Sequence, residues 1–124
     1  MQVNLNKYIC LLFIVFFSTT KILTAQLTAY DKLLDTKYNK AIELLDKEKY
    51  VAAQKLFEDI VHDVSYTNSL EQSNSSYYSM LCAIELFNDN AEVLGIRFIG
   101  RNPESPFVNK ARFQLANFEY VKKR

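Results

Sequence analysis

The histidine of the chain is the first side chain that could take part in catalysis or metal binding. His62 stands near Asp59 and Asp63 in the stretch "EDIVHDV", and a histidine beside carboxylates can act as a general base or as a metal ligand. However, His62 directly follows the apolar pair Ile60 and Val61, at the edge of the apolar stripe of a predicted helix. We therefore expect a solvated histidine on a helix surface rather than a base or a ligand.

The other candidates for chemistry are a cysteine and a pair of carboxylates. Cys82 could be a nucleophile only with a nearby base, and we expect it instead to fill a small apolar position in the core. Glu58 and Asp59 are neighbours in a predicted helix, so they point in different directions and form a charged surface. No metal-ligand spacing, glycine-rich phosphate loop or serine elbow occurs. The sequence thus predicts no catalytic residue, no metal site and no cofactor.

The segment 1–25 has the pattern of a secretory signal peptide. Lys7 precedes an apolar run over positions 8–17, and a polar segment with small residues follows, so cleavage is expected near Ala25 or Gln26. The run is about half the ~20 residues that a membrane-spanning helix needs. An uncleaved signal anchor is the alternative, and it would be the chain's only contact with a membrane. Cys10 lies inside the apolar run, so we do not expect lipidation.

The segment 26–124 is expected to form a single exported domain. Removal of the leader takes away Lys7 and Lys21 but no acid, so the formal charge changes from +1 to −1. A nearly neutral domain gives no electrostatic reason to expect binding to nucleic acid. Cys82 is then the only cysteine, which excludes an intramolecular disulfide and is compatible with a periplasm-type compartment.

The domain is predicted to be all-α, because Gly 2 and Pro 2 leave few breakers and no long stretch alternates with period two. Five helices are expected, arranged as antiparallel pairs. The first runs from about Asp31 to Lys47, and the second follows the turn "DKEK". The third helix is expected to begin with a capping box of Ser69 and Gln72. For the fourth helix, Asp89 and Glu92 are the expected cap pair and Gly100 is the expected left-handed end. The fifth is expected to begin at Ser105 and Pro106.

The first hairpin carries a small residue in its first helix, an aromatic residue at the start of its second, and then Ala and Phe: Ala41, Tyr50, Ala53 and Phe57. This pattern resembles the tetratricopeptide-repeat family, although the turn lacks glycine. The second hairpin is a weaker match through Ala91 and Pro103, with Asn88 at an aromatic position and Gly95 at a large one. A third unit begins with "NPESPFVNKARFQLANFEY", where Ala116 is the small residue.

The resemblance implies a short solenoid of about two and a half stacked repeats, and a generic helical bundle is the alternative. A natural protein that continues past "VKKR" is also expected. In such arrays the first helices line a groove that takes peptides or helices. The residues that would face the groove are Tyr38, Ile42, Asp46, Met80, Phe113, Asn117 and Tyr120. The apolar ones could instead pack in the core or, for Phe113 and Tyr120, against a following helix.

The expected function is therefore that of a non-catalytic scaffold or adaptor, which binds another protein in the periplasm or envelope of a Gram-negative bacterium. A second hypothesis is an amino-terminal spacer of a larger repeat protein with no ligand of its own. A third is a subunit of an enzyme whose site is completed elsewhere.

Overall fold

The computed structural model describes Ile9 and residues 35–124. A compact unit extends from Thr36 to Arg124. The predicted signal peptide and its cleavage site fall outside the described residues, apart from Ile9, which is helical and exposed. The predicted start of the first helix near Asp31 falls outside them as well.

The described part of the compact unit is helical throughout, and residues 35–124 contain no strand. The helices are α1 (described over 35–46), α2 (Tyr50–His62), α3 (Leu70–Glu85), α4 (Ala91–Arg101) and α5 (Val108–Lys122), with a 3₁₀ turn at Val64–Tyr66 after α2. The prediction of an all-α unit with five helices is confirmed. Among the described residues, no helix has the length and apolarity that crossing a membrane would require.

Helix α3 lies in the middle of this unit and contacts α2, α4 and α5. It contributes to each of three buried clusters: Cys82 to one with α1 and α2, Met80 to one with α4 and α5, and Ala83 to one with Ala91 and Phe118. No residue from 71 to 84 is fully exposed. Burial on several sides explains why the weakly helical stretch "QSNSSYYS" is regular helix, since packing outweighs propensity.

The turns that close α1–α2 and α3–α4 have the same hydrogen-bond pattern. In the first turn, the Lys49 amide donates to the Leu44 carbonyl at 2.9 Å and the Glu48 amide donates to Leu45 at 2.9 Å. The second turn repeats both bonds, from Asn88 to Ala83 at 2.9 Å and from Phe87 to Ile84 at 3.0 Å. These are Schellman motifs, whose left-handed residue is usually glycine. Here it is Glu48 (φ 56°) or Phe87 (φ 54°).

The capping box predicted at the start of α3 is half confirmed. The Ser69 hydroxyl accepts a hydrogen bond from the Gln72 amide at 3.0 Å. The return bond is displaced by one residue, because the Gln72 side chain accepts from the Asn68 amide at 3.1 Å. Its Nε2 also donates to the Val61 carbonyl at 3.0 Å, so Gln72 ties the end of α2 to the start of α3.

Three other predicted boundaries are wrong. Gly100 does not end α4, which continues to Arg101, and no described glycine has a positive φ. Asn90 precedes α4 without a side-chain cap, and Asp89 instead pairs with Lys122 at 3.0 Å. Helix α5 begins at Val108, because Ser105 and Pro106 form a separate turn in which the Ser105 hydroxyl accepts from the Phe107 amide at 3.3 Å.

Candidate functional site

The four residues predicted to pack in the first hairpin lie together. Ala41, Ala53 and Phe57 are completely buried in one cluster, and Tyr50 packs against it. The two alanines have no side chain beyond Cβ, so α1 and α2 can approach closely there. Tyr38 meets the Phe57 ring edge-on at 6.3 Å, and Tyr78 of α3 stacks on Phe57 at 5.3 Å. Phe57 therefore joins the first three helices.

The second hairpin has a comparable arrangement, except that glycine stands where the first hairpin has Phe57. The sequence interval from Ala53 to Ala91 equals that from Ile60 to Phe98, and all four residues are buried. Gly95 follows Phe57 at that interval and is buried too, but a Cβ atom on it would lie 2.4 Å from Cδ1 of Leu115. A side chain from α5 therefore occupies space that a side chain at position 95 would need.

Two other residues predicted to pack between repeats do not do so. Pro103 is exposed, because it lies in the turn that follows the end of α4 at Arg101. Ala116 is exposed as well, because it lies on the side of α5 that faces away from α3 and α4. Neither residue packs between helices within the described chain.

The residues predicted to line the groove fall into three environments. Tyr38 and Ile42 are half-buried and pack on the first cluster, whereas Asp46, Phe113, Asn117 and Tyr120 are exposed. Met80 is completely buried among residues of α4 and α5, so its placement in the groove is wrong. The reason is the central position of α3, whose Met80 side is covered by neighbouring helices.

A different face of α3 is half-exposed. Asn74, Tyr78 and Leu81 recur at the spacing of one helix face, and all three are only partly buried. Burial raises the pKa of the Tyr78 phenol, Lys110 of α5 lowers it, and Asp46 of α1 raises it. Tyr78 packs against the buried cluster that contains Ala41 of α1 and against the one that contains Ala111 of α5, so it lies between these two helices. The surface formed by α1, α3 and α5 is therefore centred on Tyr78, and we call it the first-helix surface.

Aromatic rings and hydrogen bonds hold this surface together. The Tyr78 ring lies 5.9 Å from that of Phe107, which stacks on Tyr77 at 4.5 Å. The Tyr77 hydroxyl donates to Gln114 Oε1 at 2.9 Å, across α3 and α5. On the other side, the Tyr78 ring stacks on Phe57, which the Tyr38 ring of α1 meets edge-on at 6.3 Å. The surface is thus fixed by contacts on both sides of α3.

A concave region lies between α2, α3 and α4. It is a polar cleft of about 230 Å³ lined in part by Glu58, His62 and Arg97. Glu58 accepts hydrogen bonds within the fold, from Gln54 Nε2 at 2.9 Å and from the Ser79 hydroxyl at 3.4 Å. His62 is exposed, and no group of three or more potential metal ligands occurs among the residues that the structure describes.

Sequence reasoning missed the buried polar residues of this region. Gln54 and Ser79 are both buried, and Asn88 Nδ2 donates to Gln54 Oε1 at 3.2 Å. The signal that could have revealed Ser79 is its position in α3, which corresponds to that of the small residue Ala41 in α1. The bonds of Glu58, Gln54 and Asn88 connect the two hairpins through polar groups as well as through the core.

Cys82 is buried as predicted, in the cluster that contains Phe57. Burial raises the pKa of its thiol to about 12. The thiol therefore stays protonated at neutral pH and lies out of reach of a substrate, so this cysteine is unsuited to nucleophilic chemistry.

Family models, curated proteins and solved structures were compared with the chain, and none of them matches it.

Proposed function

We propose that this chain is a helical-repeat adaptor of the tetratricopeptide type, which binds another protein and performs no catalysis. Its support is the repetition within the described residues. Two hairpins close with the same Schellman motif, and their second helices bury residues at corresponding positions, Ala53 with Ala91 and Ile60 with Phe98. An array of this kind presents the first helices of successive units along one surface.

The observation that carries the proposal is the environment of Tyr78. Its half-exposed ring lies 5.3 Å from the Phe57 ring and 5.9 Å from the Phe107 ring, and the exposed residues Asp46 and Lys110 are among those whose charges shift the pKa of its phenol. An aromatic residue that is held rigidly and keeps one accessible side is typical of the central residues of protein interfaces. Exposed charges of opposite sign on α1 and α5 can fix the direction of a bound segment.

Export to the periplasm or envelope of a Gram-negative bacterium is part of the proposal, and it rests on the signal-peptide pattern of the segment 1–25. A spacer within a larger repeat array is the second candidate function. It is favoured by the apolar side of α5 that lies in solvent, because stacking a further unit would cover such a side.

Site-specific photocrosslinking in cells that make the full chain tests the adaptor function. A photoreactive residue replaces Leu81 on the first-helix surface or, as the control, Ile96 on the outside of α4, which is 61% exposed. We expect one protein to crosslink from position 81 and not from position 96. Asp46→Lys, an exposed charge reversal, should reduce that crosslink at least threefold without changing the thermal midpoint. Equal crosslinking from both positions, or none from either, would refute a binding role for this surface.

A further inference from the structure

Helix α5 has two apolar sides, of which only one is covered. The covered side carries Val108, Ala111 and Phe118, which are buried, and Leu115, which packs against Gly95. The other side carries five residues at spacings of three and four, all of them exposed: Asn109, Phe113, Ala116, Asn117 and Tyr120. We call this side the outer face of α5. Successive residues turn by about 100° in a helix, so the outer face is opposite the covered side.

Two large aromatic groups stand exposed on the outer face. Phe113 is 74% exposed and Tyr120 is 62% exposed, and Val121 beside them is 45% exposed. Scattered single apolar residues are normal on a surface, but Phe113 and Tyr120 lie about two turns apart on one side of one helix, where a single docked helix could cover both. The small side chain of Ala116 between Phe113 and Tyr120 would let another helix approach closely at the centre.

Positive charges border the outer face. Lys110, Arg112, Lys123 and Arg124 stand on or next to α5, and the Arg124 guanidinium lies 5.7 Å from the centre of the Tyr120 ring. Glu119 is the only acid between positions 108 and 124, and its carboxylate is 3.5 Å from the Lys123 ammonium group. A second copy of α5 docked here would bring like charges together, whereas an acidic segment would meet charges of opposite sign.

We propose that the outer face of α5 docks an amphipathic helix of a partner protein, whose apolar stripe is flanked by Asp and Glu residues. This inference deepens the proposed adaptor function, on which it rests, and adds a second site that adjoins the first-helix surface at Lys110. The apolar stripe of the partner covers Phe113 and Tyr120, and its acids face the basic border. This is recognition of a helix by a helix face, with charge selecting the partner and its direction.

Two synthetic helical peptides test the proposal by titration into the labelled full chain, with fluorescence anisotropy as the readout. Both carry the same leucine stripe, and they differ only in having Glu or Lys at every flanking position. We expect the Glu peptide to bind with a dissociation constant in the micromolar range and the Lys peptide to bind at least tenfold more weakly. Raising the salt concentration should weaken binding of the Glu peptide, because screening reduces the charge contribution.

Exposed-site variants locate the binding site without disturbing the core. Phe113→Ala and Tyr120→Ala should each weaken binding of the Glu peptide at least fivefold, while Ile96→Ala, a truncation of comparable exposure on α4, should leave it unchanged. Circular dichroism and the thermal midpoint confirm that each variant is folded. The proposal would be overturned if the two peptides bound with equal affinity or if Phe113→Ala left the affinity unchanged. It would also be overturned if no binding were seen at 1 mM peptide, which corresponds to a binding free energy weaker than about −4 kcal/mol.

Light scattering measures whether the full chain is a monomer or a dimer. A dimer of the full chain that Phe113→Ala converts to a monomer would show that the outer face pairs with a second copy, which contradicts a heterologous partner. The crosslinking experiment at Leu81 reports on a different surface of the chain. A specific crosslink there combined with failure of the Glu peptide would refute the docking site alone and leave the adaptor function standing.

Discussion

Replacing Gly95 by alanine tests the contact that fixes α5 against α4. A Cβ atom at this position would lie 2.4 Å, 2.7 Å and 2.9 Å from three side-chain carbons of Leu115, so Leu115 must move. Gly100 in the same helix is the matched control, because a Cβ atom there meets nothing within 4 Å. The two substitutions are chemically identical and lie in the same α4 helix.

The expected difference follows from two opposing effects. Alanine is favoured over glycine inside a helix by about 1 kcal/mol, and this gain applies at both positions. Overpacking costs about 1–3 kcal/mol and applies only to Gly95→Ala. We therefore expect Gly100→Ala to stabilise the chain by up to about 1 kcal/mol. Gly95→Ala should be about 1–3 kcal/mol less stable than the Gly100 variant.

Urea unfolding of the full chain, followed by far-ultraviolet circular dichroism, measures both free energies. Truncation of Leu115 to Ala completes a double-mutant cycle with Gly95→Ala. Because the truncation removes the atoms that clash, it should cost less in the Gly95→Ala background than in the wild type, with a coupling energy of about 0.5–3 kcal/mol. If Gly95→Ala is as stable as Gly100→Ala, or if Leu115→Ala costs the same in both backgrounds, the close packing described here is wrong.

Three further predictions concern a cap, a turn and a buried thiol. Ser69→Ala should destabilise the chain by about 1 kcal/mol in urea unfolding, because the Gln72 amide loses its hydrogen-bond acceptor. Ser69→Asp should retain most of the stability, and equal losses in the two variants would exclude a capping role. Glu48→Gly should stabilise by about 1 kcal/mol, since a left-handed residue with a Cβ atom is strained, whereas Glu48→Ala should not; a destabilised glycine variant would contradict this. Cys82 has a folded-state pKa raised from 9.0 to about 12, so its stabilising contribution is complete below pH 9 and is lost as pH rises towards 12. The urea midpoint should therefore fall less steeply above pH 9 in Cys82→Ala, and identical slopes would refute this.

The first hairpin could be predicted from sequence because its determinants are local. Ala41, Tyr50, Ala53 and Phe57 all lie in two consecutive helices, and the helical period alone places them on facing sides. Their burial in one cluster needs only that the two helices fold back on each other, which a short turn enforces. The hydroxyl of Ser69 is likewise a local signal, and its hydrogen bond to the Gln72 amide was predicted correctly.

Met80 could not be placed because its environment depends on which sides of α3 are covered. Tyr77, Met80, Leu81 and Ile84 are all apolar, so the stripe does not show which of them meets another helix and which lines a surface. The contacts with α4 and α5 decide this, and they arise from packing between residues that are distant in sequence. Helix ends were mispredicted for a related reason. Gly100 was expected to end α4 in the left-handed conformation, but α4 continues to Arg101, and the left-handed residues of the two Schellman turns are Glu48 and Phe87.

Helices α3 and α5 differ in how many of their sides other helices cover. Helix α3 has neighbours on several sides, and small or apolar residues such as Ser79, Met80 and Ala83 are buried around it. Helix α5 has a similar distribution, with apolar residues on opposite sides, although α3 and α4 cover only one of them. A helix whose second side always faced water would be expected to carry polar residues there. Phe113 and Tyr120 break that rule, and the basic residues beside them give a covering helix a preferred charge. The exposure of two aromatic rings on this side of α5 therefore favours a docked partner helix over a surface adapted only to solvent.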